Sequence, residues 1–251
     1  MIRTEVAGAR GYVWLDAPER RNAMDGESWR ALVDAVRVME LERQVRTIVL
    51  GATGGVFCAG AQVDWMRTAT REQLGGIGPA LARLGESPKP VVARVHGPAY
   101  GGGVGLVAAC DIVVASREAR FVLSEVRLGL APATISRAVV RRVGGARFRA
   151  WAMMARRVTA DEALAAGLVD YAVDPEQLDA TVDEVCTALC AAEPGALAAV
   201  KKLFPDGLDG AAATHMLADL KSRPEFVEGI AALREKRPAS WVSSPSGGGV
   251  G

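Results

Sequence analysis

Histidine is scarce in this chain: His96 and His215 are the only two in 251 residues. The four cysteines, Cys58, Cys110, Cys186 and Cys190, contain no Cys-x-x-Cys pair. These counts leave no zinc pattern and little material for a Ser-His-Asp triad. Cys186 and Cys190 lie four apart on an expected helix and read as packed or surface thiols. Aromatic residues make up 5% of the chain although half of it is hydrophobic. The apolar mass is therefore Ala, Val and Leu, which suits close backbone packing. An excess of charge of either sign is also missing, with 30 Lys+Arg against 29 Asp+Glu. That balance excludes a dedicated nucleic-acid binder and an acidic disordered chain, while leaving room for a local basic patch that holds a phosphorylated ligand. No apolar run reaches the ~18 residues that span a bilayer. The opening MIRTEVAGARGYVWLD has no apolar core of signal-peptide type. The expectation is a soluble, cytoplasmic protein with no membrane partner.

What the chain has in quantity is glycine, 28 residues, above the average of roughly 7%. Glycine is used where backbone must approach something closely. Short apolar runs at 11–15, 47–50, 90–95 and 111–115 read as strands, with a further candidate at 120–123. Amphipathic or apolar stretches at 28–43, 81–84, 104–110, 177–189, 196–203 and 211–220 read as helices. Alternating strands and helices predict an α/β fold with parallel strands. Strands become rare after residue 161, so an α/β core over 1–190 is expected, followed by a helical region over 191–242. The Ser/Gly-rich tail 243–251 reads as disordered.

The segment PVVARVHGPAYGGGVGLVAACDIVVA runs from strand through a glycine turn into a helix. Free N–H groups and the dipole at such a helix start favour negative charge. Four readings compete. A P-loop needs Gly-Lys-Ser/Thr after its glycines, and Val104-Gly105 stands there instead. A dinucleotide fingerprint fits Gly103-x-Gly105-x-x-Ala108, but several elements precede it and Glu118 falls too near for the ribose acid. An oxyanion hole would use backbone N–H groups to meet charge developing on a carbonyl oxygen. A tight packing turn without a ligand is the fourth. A second small-residue loop, GGVFCAGA at 54–61, follows the strand TIVL. Two such loops after two strands suit one N–H each on a single oxygen.

FCAGA near position 60, HGPAYGGGVGLVAACDIVVAS, FVLSEVRLGLAPATISRAVVRRVG and TADEALAAGLVD (159–170) together resemble the enoyl-CoA hydratase/isomerase (crotonase) superfamily. PERRNAM near position 20 resembles its N-terminal CoA-side turn, and EKRPASW (235–241) its C-terminal end. The resemblance covers nearly the whole chain. It implies a crotonase-like spiral of β-β-α units with a C-terminal helical trimerisation region, assembled as a homotrimer or a dimer of trimers. It also implies an acyl-CoA thioester, or its acyl-carrier-protein counterpart, as substrate, with no further cofactor. The thioester oxygen is expected between the N–H groups of Ala59, first residue of AGA, and Gly102, second of the three glycines. Removing one such donor typically costs ~3 kcal/mol.

Family hydratases typically use two glutamates. One matches Glu125 in LSEVRLGLAP, in a segment expected to be partly buried, where burial raises its pKa and suits it to acid–base work. The other falls at Gly105, which leaves a single acid and is expected to leave space at the substrate β-carbon. Gln62 stands where the family usually has Asp, with Asp64 two residues on. The pattern GGGVGL with LSEVRLGLAPATIS looks closest to hydratases of branched 3-methylglutaconyl-CoA or carboxygeranoyl-CoA type. The expected function is enoyl-CoA hydration. A Δ3-Δ2 isomerase or glutaconyl-type decarboxylase is the alternative within the fold, and a non-catalytic acyl-CoA binder the alternative outside it. Ala61 and Gly101 are expected along the CoA moiety, Arg20 and Arg21 at its phosphates, and Trp241 and Lys236 at the CoA of a neighbouring subunit.

Overall fold

A computed structural model describes residues 2–203 and 209–242, so the tail expected over 243–251 lies outside the described residues. In chain order the elements are β1 (Ile2–Ala7), β2 (Arg10–Leu15), α1 (Gly26–Leu41), β3 (Thr47–Ala52), α2 (Val63–Thr68), α3 (Arg71–Gly75), α4 (Ile77–Glu86), β4 (Val91–Val95), β5 (Ala99–Tyr100), α5 (Gly102–Ala109), β6 (Ile112–Ser116), β7 (Arg120–Val122), α6 (Ala133–Met154), β8 (Val158–Thr159), α7 (Ala160–Ala166), β9 (Tyr171–Val173), α8 (Leu178–Ala191), α9 (Pro194–Lys202), α10 (Gly210–Lys221) and α11 (Pro224–Glu235). Turns of 3-10 helix stand at Pro18–Arg20, Glu125–Leu128 and Pro175–Gln177.

Two sheets share the strands. The larger has the order β1-β2-β3-β4-β6-β9, antiparallel only at its β1–β2 edge. The smaller has the order β5-β7-β8, extended by an isolated bridge between Cys58 and Ala99. Each turn of the chain lays one strand in the large sheet, a short one in the small sheet, and then a helix: β4–β5–α5, then β6–β7–α6. This is a spiral of β-β-α units.

Strand β3 is buried at every position, as expected of a parallel strand covered on both faces. Its side chains alternate with period two. Ile48 and Leu50 join a core that also holds Leu32, Leu81, Leu84, Leu106 and Ile135, from helices α1, α4, α5 and α6. Val49 faces the other way, with Val92 and Val114, against Leu178, Val182, Val185 and Cys186 of α8. Helix α5 lies inside the first core, with Gly103 through Ala108 all buried. Only its two end residues, Gly102 and Ala109, are partly exposed, and the N-terminal one belongs to the glycine turn.

Candidate active site

The site is assembled on a backbone seam between the turn at 17–24 and the loop at 53–62. Asp25 closes the turn and caps α1, its carboxylate accepting the Ser28 N–H at 2.8 Å. The same carboxylate accepts from the Arg20 guanidinium at 2.9 Å, and Arg20 also donates to the Ser28 hydroxyl at 3.0 Å. Partial burial works against the Asp25 charge, but the Ser28 and Arg20 bonds outweigh it and hold its pKa down at about 2. Arg20, expected at the CoA phosphates, is thus also engaged as a brace within its own chain. Arg21 is exposed, with a left-handed backbone at φ 54°.

Four consecutive residues, Ala59 to Gln62, meet this seam differently. The Ala59 N–H donates to the Arg21 carbonyl at 3.0 Å. The Gly60 N–H points to Cys58 Sγ at 3.4 Å. The Gln62 N–H donates to the Met24 carbonyl at 2.8 Å, and the Met24 N–H donates to the Gly60 carbonyl at 2.8 Å. Met24 and Ala61 thus form a parallel bridge. In such a bridge the central residue turns its own N–H and C=O to the opposite side. The Ala61 N–H has no hydrogen-bond partner among the described residues. This corrects the expectation for Ala59, whose N–H is already spent, and leaves Ala61 as the unpartnered donor of the four. Cys58 beside it is fully buried, which pushes its thiol up to about 12 and away from nucleophilic chemistry.

The second loop is laid directly against the first. The Tyr100 N–H donates to the Cys58 carbonyl at 2.9 Å. Gly60 has φ +88°, and a methyl group on it would stand 2.8 Å from the Tyr100 carbonyl and 3.4 Å from the Gly102 nitrogen. Gly101 has φ +47°, donates its N–H to the Val122 carbonyl at 2.8 Å, and accepts from Val104 and Gly105 to start α5. No side chain caps this helix start. The Gly102 N–H is one of the first-turn donors that a helix cannot satisfy itself. Trp29 of α1 lies beneath it, with its ring 3.3 Å from where a Gly102 methyl group would stand.

Glu125 opens the 3-10 turn after β7, and its carboxylate reaches Gly101: a methyl group there would lie 3.0 Å from Oε1. Oε2 is buried without a hydrogen-bond partner among the described residues. Burial raises the Glu125 pKa from its ordinary value, and the backbone N–H of Glu125 itself pulls weakly the other way. A carboxyl group that is uncharged more easily than usual therefore stands beside the glycine turn, which is laid against a second loop, and each of the two carries an unpartnered N–H.

These features have the form of an acyl-transfer or enolate site, and comparisons with known proteins agree. The model of the family described as Enoyl-CoA hydratase/isomerase matches residues 7–244. The chain belongs to the enoyl-CoA hydratase/isomerase family. A Clostridium acetobutylicum protein named short-chain-enoyl-CoA hydratase is 31% identical over 210 residues, covering 81% of this chain and 80% of that one. The Escherichia coli protein named 1,2-epoxyphenylacetyl-CoA isomerase is 28% identical, covering 91% of this chain and 93% of that one. Among solved structures, an enoyl-CoA hydratase from Mycobacterium smegmatis superposes with a TM-score of 0.90 at 31% identity, covering 96% of this chain and 99% of that one. Pseudomonas aeruginosa AtuE gives 0.89 at 31% identity, with the same coverage. The fold is the crotonase fold, and the chain is an enzyme of this family.

Other expected positions are placed as follows. Gly105 does not leave open space: a methyl group on it would stand 2.5 Å from Cγ2 of Ile135 and 3.2 Å from Cδ1 of Leu81. Both side chains are buried, so α4 and α6 plug the place where the family's second acid would project. Trp241 donates its indole N–H to the Ala191 carbonyl at 3.2 Å and packs over Gly229 of α11, which makes it a clasp of its own C-terminal region. Lys236 is exposed at the end of α11 with φ 54°. Asn22, Trp29 and Ile135 shape the site, and the sequence alone does not single them out. An Asn following two arginines at a turn is the available signal for the first, since Asn tolerates left-handed backbone.

Proposed function

We propose that this chain catalyses the reversible addition of water to α,β-unsaturated acyl-CoA thioesters, through an oxyanion hole and one acid–base residue. The observation that carries the reading is the Glu125 carboxylate beside Gly101, unpartnered at Oε2, where α5 begins. The thioester oxygen would accept from the N–H groups of Ala61 and Gly102. As negative charge develops there, preorganised donors are worth far more than in water. Glu125 takes a proton from water as the water oxygen adds to the β-carbon. The double-bond electrons move onto the thioester oxygen, and Glu125 then returns the proton to the α-carbon. A raised pKa suits both halves of this exchange near neutrality. Arg21 and Lys236, both exposed cations, are the proposed contacts for the CoA phosphates, in this subunit and a neighbouring one respectively.

A branched acyl group of 3-methylglutaconyl type is the proposed substrate, supported by the motif pattern around Gly102 and Glu125. A homotrimer or dimer of trimers is the proposed assembly. Its support is the set of large apolar side chains left exposed on α6, α10 and α11, at Met153, Met154, Leu217, Val227 and Leu233.

The plug at Gly105 favours a second reading within the family. With one carboxylate, Glu125 could carry a proton from C2 to C4 of a 3-enoyl thioester and act as a Δ3-Δ2 isomerase. Incubation with crotonyl-CoA, 3-methylglutaconyl-CoA and a 3-enoyl-CoA separates the readings. Loss of conjugated thioester absorbance with either of the first two supports hydration. Gain of conjugation from the third supports isomerisation. CoA binding by calorimetry with no turnover on any of them overturns both.

A further inference from the structure

We propose that Asn22 is a positioning residue that sets the height of the Ala61 N–H. This rests on the reading of Ala61 as an oxyanion donor. Asn22 is 2% exposed and stands in the left-handed region at φ 55°. Its side chain is saturated. Oδ1 accepts the Ala17 N–H at 2.8 Å, and Nδ2 donates to the carbonyls of Thr53 at 2.9 Å and Val56 at 2.8 Å. Its own N–H donates to the Ala17 carbonyl at 2.9 Å, and its carbonyl accepts from the Cys58 thiol at 3.2 Å.

One buried amide thereby pins the turn at 17–22 to the loop that begins at 53. The seam then runs on from that pin: Ala59 onto Arg21, Gly60 and Gln62 onto Met24. Each of these bonds fixes backbone close to Ala61, and none uses the Ala61 N–H. The donor's direction is set by where the 17–24 turn lies, and that turn is joined to the start of the loop through Asn22. A buried polar group satisfied at every atom is a rigid element, and a partly satisfied one is costly. The carbonyls of Thr53 and Val56 would lose their donor if the amide were removed.

The test is the carbonyl stretching frequency of a bound acyl-CoA thioester, measured by difference infrared or Raman spectroscopy, together with kcat and KM for the best enoyl-CoA substrate. Asn22→Asp keeps the shape and removes the two N–H bonds; Asn22→Gly keeps the left-handed backbone and removes the side chain. In the wild type the carbonyl frequency should fall on binding, because two donors polarise it. In either folded variant it should move back towards the solution value. kcat should drop by roughly ten- to a hundredfold, the scale of small misplacements at a reacting centre, with KM little changed. A wild type with no shift on binding would sink the oxyanion reading itself. A wild type with the shift, and variants that keep both shift and kcat, would overturn the role of Asn22. Loss of folding in both variants would make Asn22 a general structural residue and would overturn it too.

Discussion

The Glu125 carboxylate is seated on Gly101, and the space between them admits no further carbon: a methyl group on Gly101 would stand 3.0 Å from Oε1. The two residues belong to the ends of different spiral units, and their contact aligns the acid with the helix start that carries the Gly102 N–H. Gly101→Ala should displace the carboxylate and strain a backbone at φ +47°. Strain of this kind costs ~1–3 kcal/mol. The expected result is a lower melting temperature together with at least a roughly tenfold loss of kcat, measured by thermal denaturation and steady-state kinetics.

Glu125→Gln should separate activity from stability. Turnover should fall by roughly 10²–10⁴-fold, the usual range for loss of a general acid–base group. Stability should respond in the opposite sense. Burial raises the folded-state pKa of Glu125 above its ordinary 4.5. Stability from the protonated group is full below the unfolded pKa and is lost as pH rises through the folded one. Glutamine stays uncharged throughout, so the melting temperature of the variant relative to wild type should climb as pH is raised from below 4.5 towards neutrality. Melting curves across that range check the sign.

Gly105 and Ile135 should behave as one packing unit. Gly105→Ala places a methyl group 2.5 Å from Ile135 Cγ2 and should cost ~1–3 kcal/mol, the scale of overpacking. Ile135→Ala should cost ~2–5 kcal/mol by opening a cavity. The double variant should lose less than the sum, because each change relieves the other. Denaturant titration of the four proteins measures the coupling. Gly105→Glu alone should not create a second catalytic acid, because the plug occupies its path.

Gly60→Ala should pry the two loops apart, since the added methyl group meets the Tyr100 carbonyl at 2.8 Å and the Gly102 nitrogen at 3.4 Å, at a φ of +88°. The expected loss is mainly in kcat, by roughly a hundredfold. A rise in KM with kcat preserved would argue that the two loops do not share one oxygen.

The strands and helices that are buried on every side are legible in the sequence. The runs at 47–50, 90–95 and 111–115 fall on β3, β4 and β6, and the apolar stretch at 104–110 lies almost wholly in α5. The stretches at 28–43, 177–189, 196–203 and 211–220 likewise fall on α1, α8, α9 and α10, whereas β1, α6 and α11 are not read from the sequence. β1 is an edge strand, IRTEVA, mostly open to solvent, and α6 carries a break at Gly144 that interrupts its period. α11 buries only Ala232. The site divides in its own way. Glu125 and the glycine turn can be picked out because the chemistry belongs to the residue itself. Ala59 and Ala61 are chemically alike, and only their partners, Arg21 and Met24, show which N–H remains. Those partners come from a distant part of the chain, as does Ile135 at Gly105. A single sequence cannot show which of two small residues a remote backbone will engage.

The central claim is that Glu125 carries a proton to and from the α-carbon of a bound thioester whose oxygen is held by backbone donors. The most direct measurement is exchange of the α-proton of a saturated acyl-CoA with solvent deuterium, followed by NMR or mass spectrometry. The account predicts exchange with the wild-type protein and its loss in Glu125→Gln, with CoA thioester affinity retained. Exchange that persists unchanged in Glu125→Gln would contradict it.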